Sequence, residues 1–592
     1  MSNKKNNELR SAVDMVDKIT NKVLDFVLMV WLLAIGFLQK SLDRLFLIKP
    51  RLGTVLFLIA GVAIILLGVY NDIVRGNFHG DAFAQQVFVE SWIRGDAISF
   101  ARTGTNYAIK MPFYALMFFT GLPPLVRHVI TICIFNVLGW VLIYVFTLKN
   151  IKLICGEISD TAQKLVRFFM LFSATLFGVM FWNIYPNSRQ IEVGLALAVI
   201  YMFIKVFSEK QRTSWLKIFL GCFFTGLLLF SDSYVAMVVL GGFGLFALMK
   251  AIVLLATNRR KIEDWRPLGR LAITMLASFV FYRAISYIMI RLTPFSPGNS
   301  GTGLTFVEAR EFFVRIADSI PAIMTQFGLD VNAISTDEYS RTLFIFASLF
   351  WLTMCAVIVK SIVEIRKEKT KVLTSDQVAV IATLALVALL APLFSEMVVP
   401  RYYILLPFLA LILMASAVSK KATPIMKYVL VPVIAAVLIF SSTRAITATG
   451  YLRSEGWPVN EATQVVYDIV EVAQRNDLRK GYASLLLAQP ATFMSEGFTQ
   501  VNSLWCYNQD SESVRFVYSY SLIDKGAIYN LQVDRSFLVM NPEDDLTVAR
   551  GCSHDLMLEQ IGAPVESIEL HRGFVLHVFD FDITESISRR SQ

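Results

Sequence analysis

Charged and aromatic residues recur at the edges of long apolar runs, where an ionised group costs free energy unless it is paired or used. The stretch after the first such run reads NDIVRGNFHGDAFAQQVFVESWIRGDAISFARTGTNYAIKMPFYALMFFTGLP and holds His79, Asp81, Arg102 and Lys110. Later comes NIYPNSRQIEVGLAL, in which Arg189 and Glu192 stand one helical turn apart and so share a face. LLLFSDSY brings Asp232, and SEMVVPRYYILLPFLAL brings Glu396, Arg401, Tyr402 and Tyr403. A carboxylate in such a place can accept the proton of an attacking hydroxyl. An arginine fork suits the oxygens of a phosphate and can hold negative charge as it develops.

Each residue also has a plainer reading. Asp81 fits a solvated loop acid, or the cap of an in-plane helix beginning at Ala82. Arg189 and Glu192 fit an interfacial pair anchoring a helix end, and Asp232 fits an N-cap. Arg401 fits a snorkelling anchor at the membrane surface. His79 has no second His nearby, so it reads as a polar neighbour of Asp81 and not as a metal ligand. No cofactor is expected; a divalent metal is left open but nothing indicates one. Asp580-Phe581-Asp582 has the form that holds a metal in nucleotide-sugar enzymes, yet it sits where nucleotide sugars are not expected. GGFG at 241–244 lies inside an apolar run and fits close helix packing better than phosphate binding.

The elements that must position these residues are membrane helices. Hydrophobic residues make up 55% of the 592 positions and charged residues only 17%, which excludes a soluble single-core protein. Runs of ~17 to 25 apolar residues in lipid must be helical, because backbone groups find no water there. About eleven such spans are expected, near 53–70, 125–148, 165–183, 190–206, 214–231, 234–256, 268–290, 342–363, 376–394, 398–418 and 426–442. Lys and Arg collect in alternate connections, for example Lys149 with Lys152, Arg259 to Lys261, Arg366 to Lys371, and Lys420 with Lys421. Those connections are expected on the cytoplasmic side, which puts the candidate residues on the other. The net charge of +9 is thus a topology signal, and no basic stripe supports nucleic-acid binding.

Three regions follow: a cytoplasmic N-terminus over 1–52, a transmembrane part over 53–442 with the outer loop 71–124, and an extracytoplasmic soluble domain over 443–592. The apolar stretch Val23 to Leu38 has basic residues on both sides and reads as an interfacial or re-entrant helix. No cleavable signal peptide is evident. In the tail, 20 acids outnumber 12 Lys and Arg, and a helix over Asn460 to Arg475 followed by short β-like runs predicts an α/β or α+β unit. Its Cys506 and Cys552 are disulfide candidates, with two buried thiols as the alternative. Trp505, Tyr507, Phe516, Tyr518 and Tyr520 can stack on sugar rings, though core packing is the commoner use of such residues.

An acid shortly after the first span, the KMPFY element from Lys110 to Tyr114, and a late Arg-Tyr-x-x-x-Pro entry to a helix resemble the GT-C superfamily of membrane glycosyltransferases. RQIE and SDSY are similar to positions in its bacterial members, and the likeness covers residues 53–442 in outline; GYASLLLAQPATFMSEGFTQVNSLWC is similar to extracytoplasmic tails of some relatives. The resemblance implies a polytopic α-helical fold and Asp81 as the first-loop catalytic acid. It implies a polyprenyl-phosphate sugar as donor and an extracytoplasmic envelope glycan, such as O-antigen or lipopolysaccharide, as acceptor. Arg401, then Arg189 and Lys110, would meet the phosphate; Glu192, Asp232, Tyr402, Tyr403, Arg102 and His79 complete the candidate substrate site. The setting implied is a bacterial cytoplasmic (inner) membrane, with the N-terminus cytoplasmic and the tail periplasmic or extracellular. A glycan polymerase or ligase using a lipid-linked oligosaccharide is a second reading, and a non-enzymatic lipid-glycan transporter a third. A transporter would place charges near the midplane in paired halves; here most charges gather at one face, with Arg283 the exception.

Overall fold

A computed structural model describes residues 50–74, 80–95, 100–101, 107–177, 189–208, 215–258, 261–292, 295–296, 309–326, 348, 376–394, 400–420, 461–508, 514–518, 531–541 and 554–588. The expected span 426–442, all of 342–363 except residue 348, the stretch Val23 to Leu38, and His79, Arg102, Glu396, Tyr520 and Cys552 lie outside these residues.

The transmembrane part begins with helix α1 (Pro50–Val74), then α2 (Gly80–Arg94), the two-residue strand β1 (Phe100–Ala101) and α3 (Tyr107–Phe118). Next come α4 (Pro124–Cys155), α5 (Asp160–Phe177), α6 (Gln190–Ser208), α7 (Trp215–Ser231) and α8 (Ser233–Ala256). They are followed by α9 (Ile262–Leu292), strand β2 (Phe295–Ser296), α10 (Ala309–Gln326), α11 (Asp376–Leu390) and α12 (Leu406–Lys420). Among the described residues, five helices are long and apolar enough to cross a membrane, in α4, α6, α8, α9 and α11 with its 3₁₀ continuation. Parts of α1, α3, α7 and α12 form shorter apolar helices.

One continuous span is expected over 398–418, and the structure differs. Pro400–Tyr403 is a separate 3₁₀ turn, and α12 starts only at Leu406. Pro400, with a fixed φ and no N–H to donate, suits the first position of that turn. Tyr402 and Tyr403 are therefore carried on the turn that precedes α12.

Helix packing is close where glycine allows it. α4 and α6 lie against each other, and a Cβ on Gly139 would come within 2.6 Å of Gln190 Cβ and 2.8 Å of the Gln190 carbonyl carbon. That contact seats the first turn of α6. Gly242, in the GGFG run, faces Leu384 of α11, whose Cα would be 3.0 Å from an added Cβ. Close helix packing is thus the role the structure gives that glycine. Around these contacts Trp140, Phe203, Phe243, Leu384 and Phe408 form one buried apolar core.

The remaining chain forms an α/β unit: α13 (Glu461–Arg475), β3 (Lys480–Ala483), α14 (Leu485–Met494), β4 (Gln500–Asn508), β5 (Val514–Tyr518), β6 (Ser536–Met540), α15 (His554–Ile561), β7 (Glu566–Glu569), β8 (Val575–Phe579) and α16 (Thr584–Ser588). The six strands run in the order β5-β4-β3-β6-β8-β7. β3 pairs in parallel with β4 and β6, and the outer pairs are antiparallel. All four residues of β3 are buried, as a parallel central strand requires. α13 covers the sheet with Val465, Val466, Ile469, Val470 and Ala473. Asp582, the last residue of the Asp-Phe-Asp pattern, accepts from the Thr584 N–H at 3.0 Å and pairs with Lys480 Nζ at 2.9 Å. It ties α16 to the central strand.

Candidate functional site

Four buried charges meet from three parts of the transmembrane region. Lys110 lies on α3, Arg189 sits immediately before α6, Glu192 is in the first turn of α6, and Asp232 separates α7 from α8. Arg189 and Glu192 do not form the mutual pair that their spacing allowed. Arg189 Nε lies 3.2 Å from Asp232 Oδ2, and Lys110 Nζ lies 3.6 Å from Glu192 Oε1. Lys110, Glu192 and Asp232 are fully buried, and Arg189 is 5% exposed. Burying four charges is costly unless each has a partner, so the two cross-element pairs are what makes the arrangement tenable.

Local structure explains the placements. The Arg189 carbonyl accepts the Val193 N–H at 2.8 Å and so opens α6. Asp232 closes α7, its N–H donating to the Leu228 carbonyl at 2.7 Å, and caps α8 by accepting the Val235 N–H on Oδ1 at 3.1 Å. One carboxylate therefore serves as N-cap and counter-ion at once, each oxygen in a different role. Lys110 runs under the Phe135 ring, 5.6 Å from its centroid.

Aromatic groups close over the arginine. The Arg189 guanidinium lies 5.3 Å from the Tyr402 ring, and Tyr402 packs on Tyr234 with centroids 4.5 Å apart. Tyr403 is fully buried and donates its hydroxyl to Ser319 Oγ of α10 at 2.8 Å. Arg189 Nη1, Glu192 Oε2 and Tyr234 Oη are buried without a hydrogen-bond partner among the described residues. Orphaned groups of this kind each cost about 1–3 kcal/mol, so a polar ligand or water that reached them would be stabilised.

The structure thus brings together Lys110, Arg189, Glu192, Asp232, Tyr402 and Tyr403 of the expected set. Asp81 is the second residue of α2, close to the in-plane helix start expected at Ala82, and Arg401 is on the 3₁₀ turn beside Tyr402. The side-chain surroundings of Asp81 and Arg401 are outside the described residues, as are those of Cys506 on β4. Tyr234 and Ser319 were missed. Tyr234 stands two residues after Asp232 in SDSY, which was the available signal; nothing in the sequence near Ser319 marks it. Among the described residues, no group of three or more His, Cys, Asp or Glu could hold a metal ion.

No protein-family model matches the chain, and no curated protein matches it by sequence. The three-dimensional structure is similar to ArnT from Cupriavidus metallidurans bound to undecaprenyl phosphate, with a TM-score of 0.53 and 12% identity, over 90% of this chain and 98% of that one. The chain has the GT-C fold. ArnT from the same organism in the apo state matches over the same shares at a TM-score of 0.51 and 12% identity. The coverage of the GT-C neighbour is nearly complete, so the likeness extends beyond the helix bundle to most of the chain.

Proposed function

We propose that the protein is an inverting membrane glycosyltransferase that moves a hexose from a polyprenyl-phosphate donor to an extracytoplasmic envelope glycan such as O-antigen or lipopolysaccharide. The observation that carries this reading is the buried quartet Lys110, Arg189, Glu192 and Asp232, with orphaned polar atoms, in a chain of GT-C fold. A similar structure holds undecaprenyl phosphate, which supports a lipid-phosphate donor.

In the proposed reaction an acceptor hydroxyl oxygen attacks the anomeric carbon, forming the new glycosidic bond as the bond to the phosphate oxygen breaks. The hydroxyl proton passes to the Asp81 carboxylate. The bonding electrons leave with the polyprenyl phosphate, which departs ionised and needs no acid. One displacement inverts the anomeric centre. Arg189 is already half engaged by Asp232, which leaves Nη1 for a phosphate or sugar oxygen. Arg401 adds a second fork from the neighbouring turn. Glu192 Oε2 is suited to accept from sugar hydroxyls. On this reading the reaction takes place at the outer face of a bacterial inner membrane, with the N-terminus cytoplasmic and the C-terminal domain, over 443–592, periplasmic or extracellular.

The deciding experiment is sugar transfer by the purified full-length protein in lipid nanodiscs, with polyprenyl-phosphate sugars and nucleotide sugars as competing donors. Turnover from lipid donors alone, abolished in a folded Asp81→Asn variant, is expected. Transfer that survives Asp81→Asn would remove the base, and turnover from nucleotide sugars would remove the donor class.

A further inference from the structure

A second buried polar group, away from the quartet, joins three parts of the chain. Arg127, in the first turn of α4, is only 2% exposed. Its Nη2 donates to Glu90 Oε2 of α2 at 3.0 Å, and its Nη1 donates to Glu496 Oε1, just past α14, at 3.1 Å. Nη1 also donates to the Leu122 carbonyl at 2.7 Å. The Phe118 and Phe493 rings lie 5.9 and 5.7 Å from the guanidinium carbon. Arg127 therefore holds the outer-loop helix α2 and the C-terminal α/β unit at one point.

Neighbouring contacts repeat the arrangement. His128 Nδ1 is 3.1 Å from Gln86 Oε1, and the His128 ring stacks on Phe83 at 3.8 Å. Phe83 in turn meets Phe493 of α14, with centroids 5.4 Å apart. Gly497 has φ +84°, and a Cβ there would come within 2.9 Å of Arg94 Nη2, so the chain after α14 closes directly on the end of α2. Phe83, Gln86, Glu90 and Arg94 recur every three or four residues, which sets them on one stripe of α2. α4 meets that stripe through Arg127 and His128, and α14 meets it through Phe493.

We infer that Arg127 is a positioning residue: it latches the C-terminal unit to α2 and thereby fixes the helix turn in which Asp81 lies. The inference rests on the proposed role of Asp81, but the latch can be read without it. Glu90 is 1% exposed, and loss of the guanidinium leaves its carboxylate only the longer contact with Arg94 at 3.8 Å and the Gln86 amide at 3.2 Å, which loosens the hold of α4 on the stripe. The Glu496 side chain is 57% exposed, so its arm of the latch is the weaker and more salt-screened. On this account the C-terminal unit acts on the reaction through backbone placement.

The test is hydrogen exchange on the full-length protein in nanodiscs, alongside kcat and donor KM, for wild type, Arg127→Lys, Arg127→Gln and Glu496→Ala. Arg127→Gln is expected to raise exchange over residues 83–94 about ten-fold and to lower kcat about ten-fold, with donor KM within about two-fold. Arg127→Lys should recover part of both effects, since one ammonium can reach some but not all of the three acceptors. Glu496→Ala should shift both the same way by a smaller factor. Unchanged exchange in α2, or looser α2 with unchanged kcat, overturns the inference. If Arg127→Gln does not fold, Glu496→Ala decides by the same two readings. If wild type transfers no sugar, the transferase reading fails by itself, and exchange in α2 alone decides the latch.

Discussion

Arg189 Nε lies 3.2 Å from Asp232 Oδ2, although Glu192 stands one helical turn away from Arg189 on its own helix. Glu192 instead faces Lys110 Nζ at 3.6 Å. The crossing of these pairs ties α3, the start of α6 and the α7–α8 junction into one buried constellation. Its formal charge is zero, so a phosphate entering it meets cations that already have partners. Binding would then be an exchange of partners, with Arg401 and Arg189 Nη1 the natural additions.

Asp232→Asn separates the two duties of this side chain. The amide oxygen can still cap α8, while the charge opposite Arg189 is gone. A stability loss of about 3 kcal/mol is expected from stranding a buried guanidinium, together with loss of transfer. Asp232→Ala should cost about 1 kcal/mol more, because the cap is lost too. Thermal unfolding of both variants in nanodiscs checks the difference; equal losses would show that the capping contact contributes nothing.

Lys110 and Glu192 are expected to be coupled. Lys110→Met and Glu192→Gln should each destabilise the protein by about 3 kcal/mol. The double variant should lose less than the sum, since neither charge is then left alone. Additive losses in a double-mutant cycle would show that the two groups act independently.

Gly139→Ala should push α4 and α6 apart, because the new methyl would overlap the backbone of Gln190. A destabilisation of about 1–3 kcal/mol is expected from overpacking, with a fall in transfer as Glu192 moves with its helix. A thermal midpoint and a donor-saturation curve measured on one preparation test both halves. Wild-type values for each would mean that the contact is slack.

The C-terminal unit should weaken in acid through His577. Burial, with His554 beside it, lowers the His577 pKa from 6.5 to about 4. The unfolded chain therefore takes up this proton below pH 6.5, while the folded unit resists until about pH 4. Stability is full above the upper value, falls between the two, and is lowest beneath the lower. In full-length protein, His577→Gln should flatten this part of the pH profile of unfolding. A slope as steep as that of wild type would assign the acid sensitivity elsewhere.

Much of the fold was legible in the sequence because lipid permits few solutions. Long apolar runs must be helices, and α1, α4, α6, α8 and α9 fall where the runs do. The α13 stripe was equally plain, from its period. Lys110, Arg189, Glu192 and Asp232 could be singled out because charge beside an apolar run is rare and costly. Which cation meets which carboxylate was not legible: pairing depends on the approach of helices far apart in the chain, set by contacts such as Gly139 on Gln190. For the same reason nothing in the sequence joins Arg127, Glu90 and Glu496, which lie in three separate stretches of the chain. The sequence by itself determined a membrane helix bundle with charged residues gathered at the ends of its apolar runs, since burial and solvation act residue by residue. Only the tertiary structure decided how those charges are wired, because an ion pair exists only once two distant segments are brought within a few ångströms.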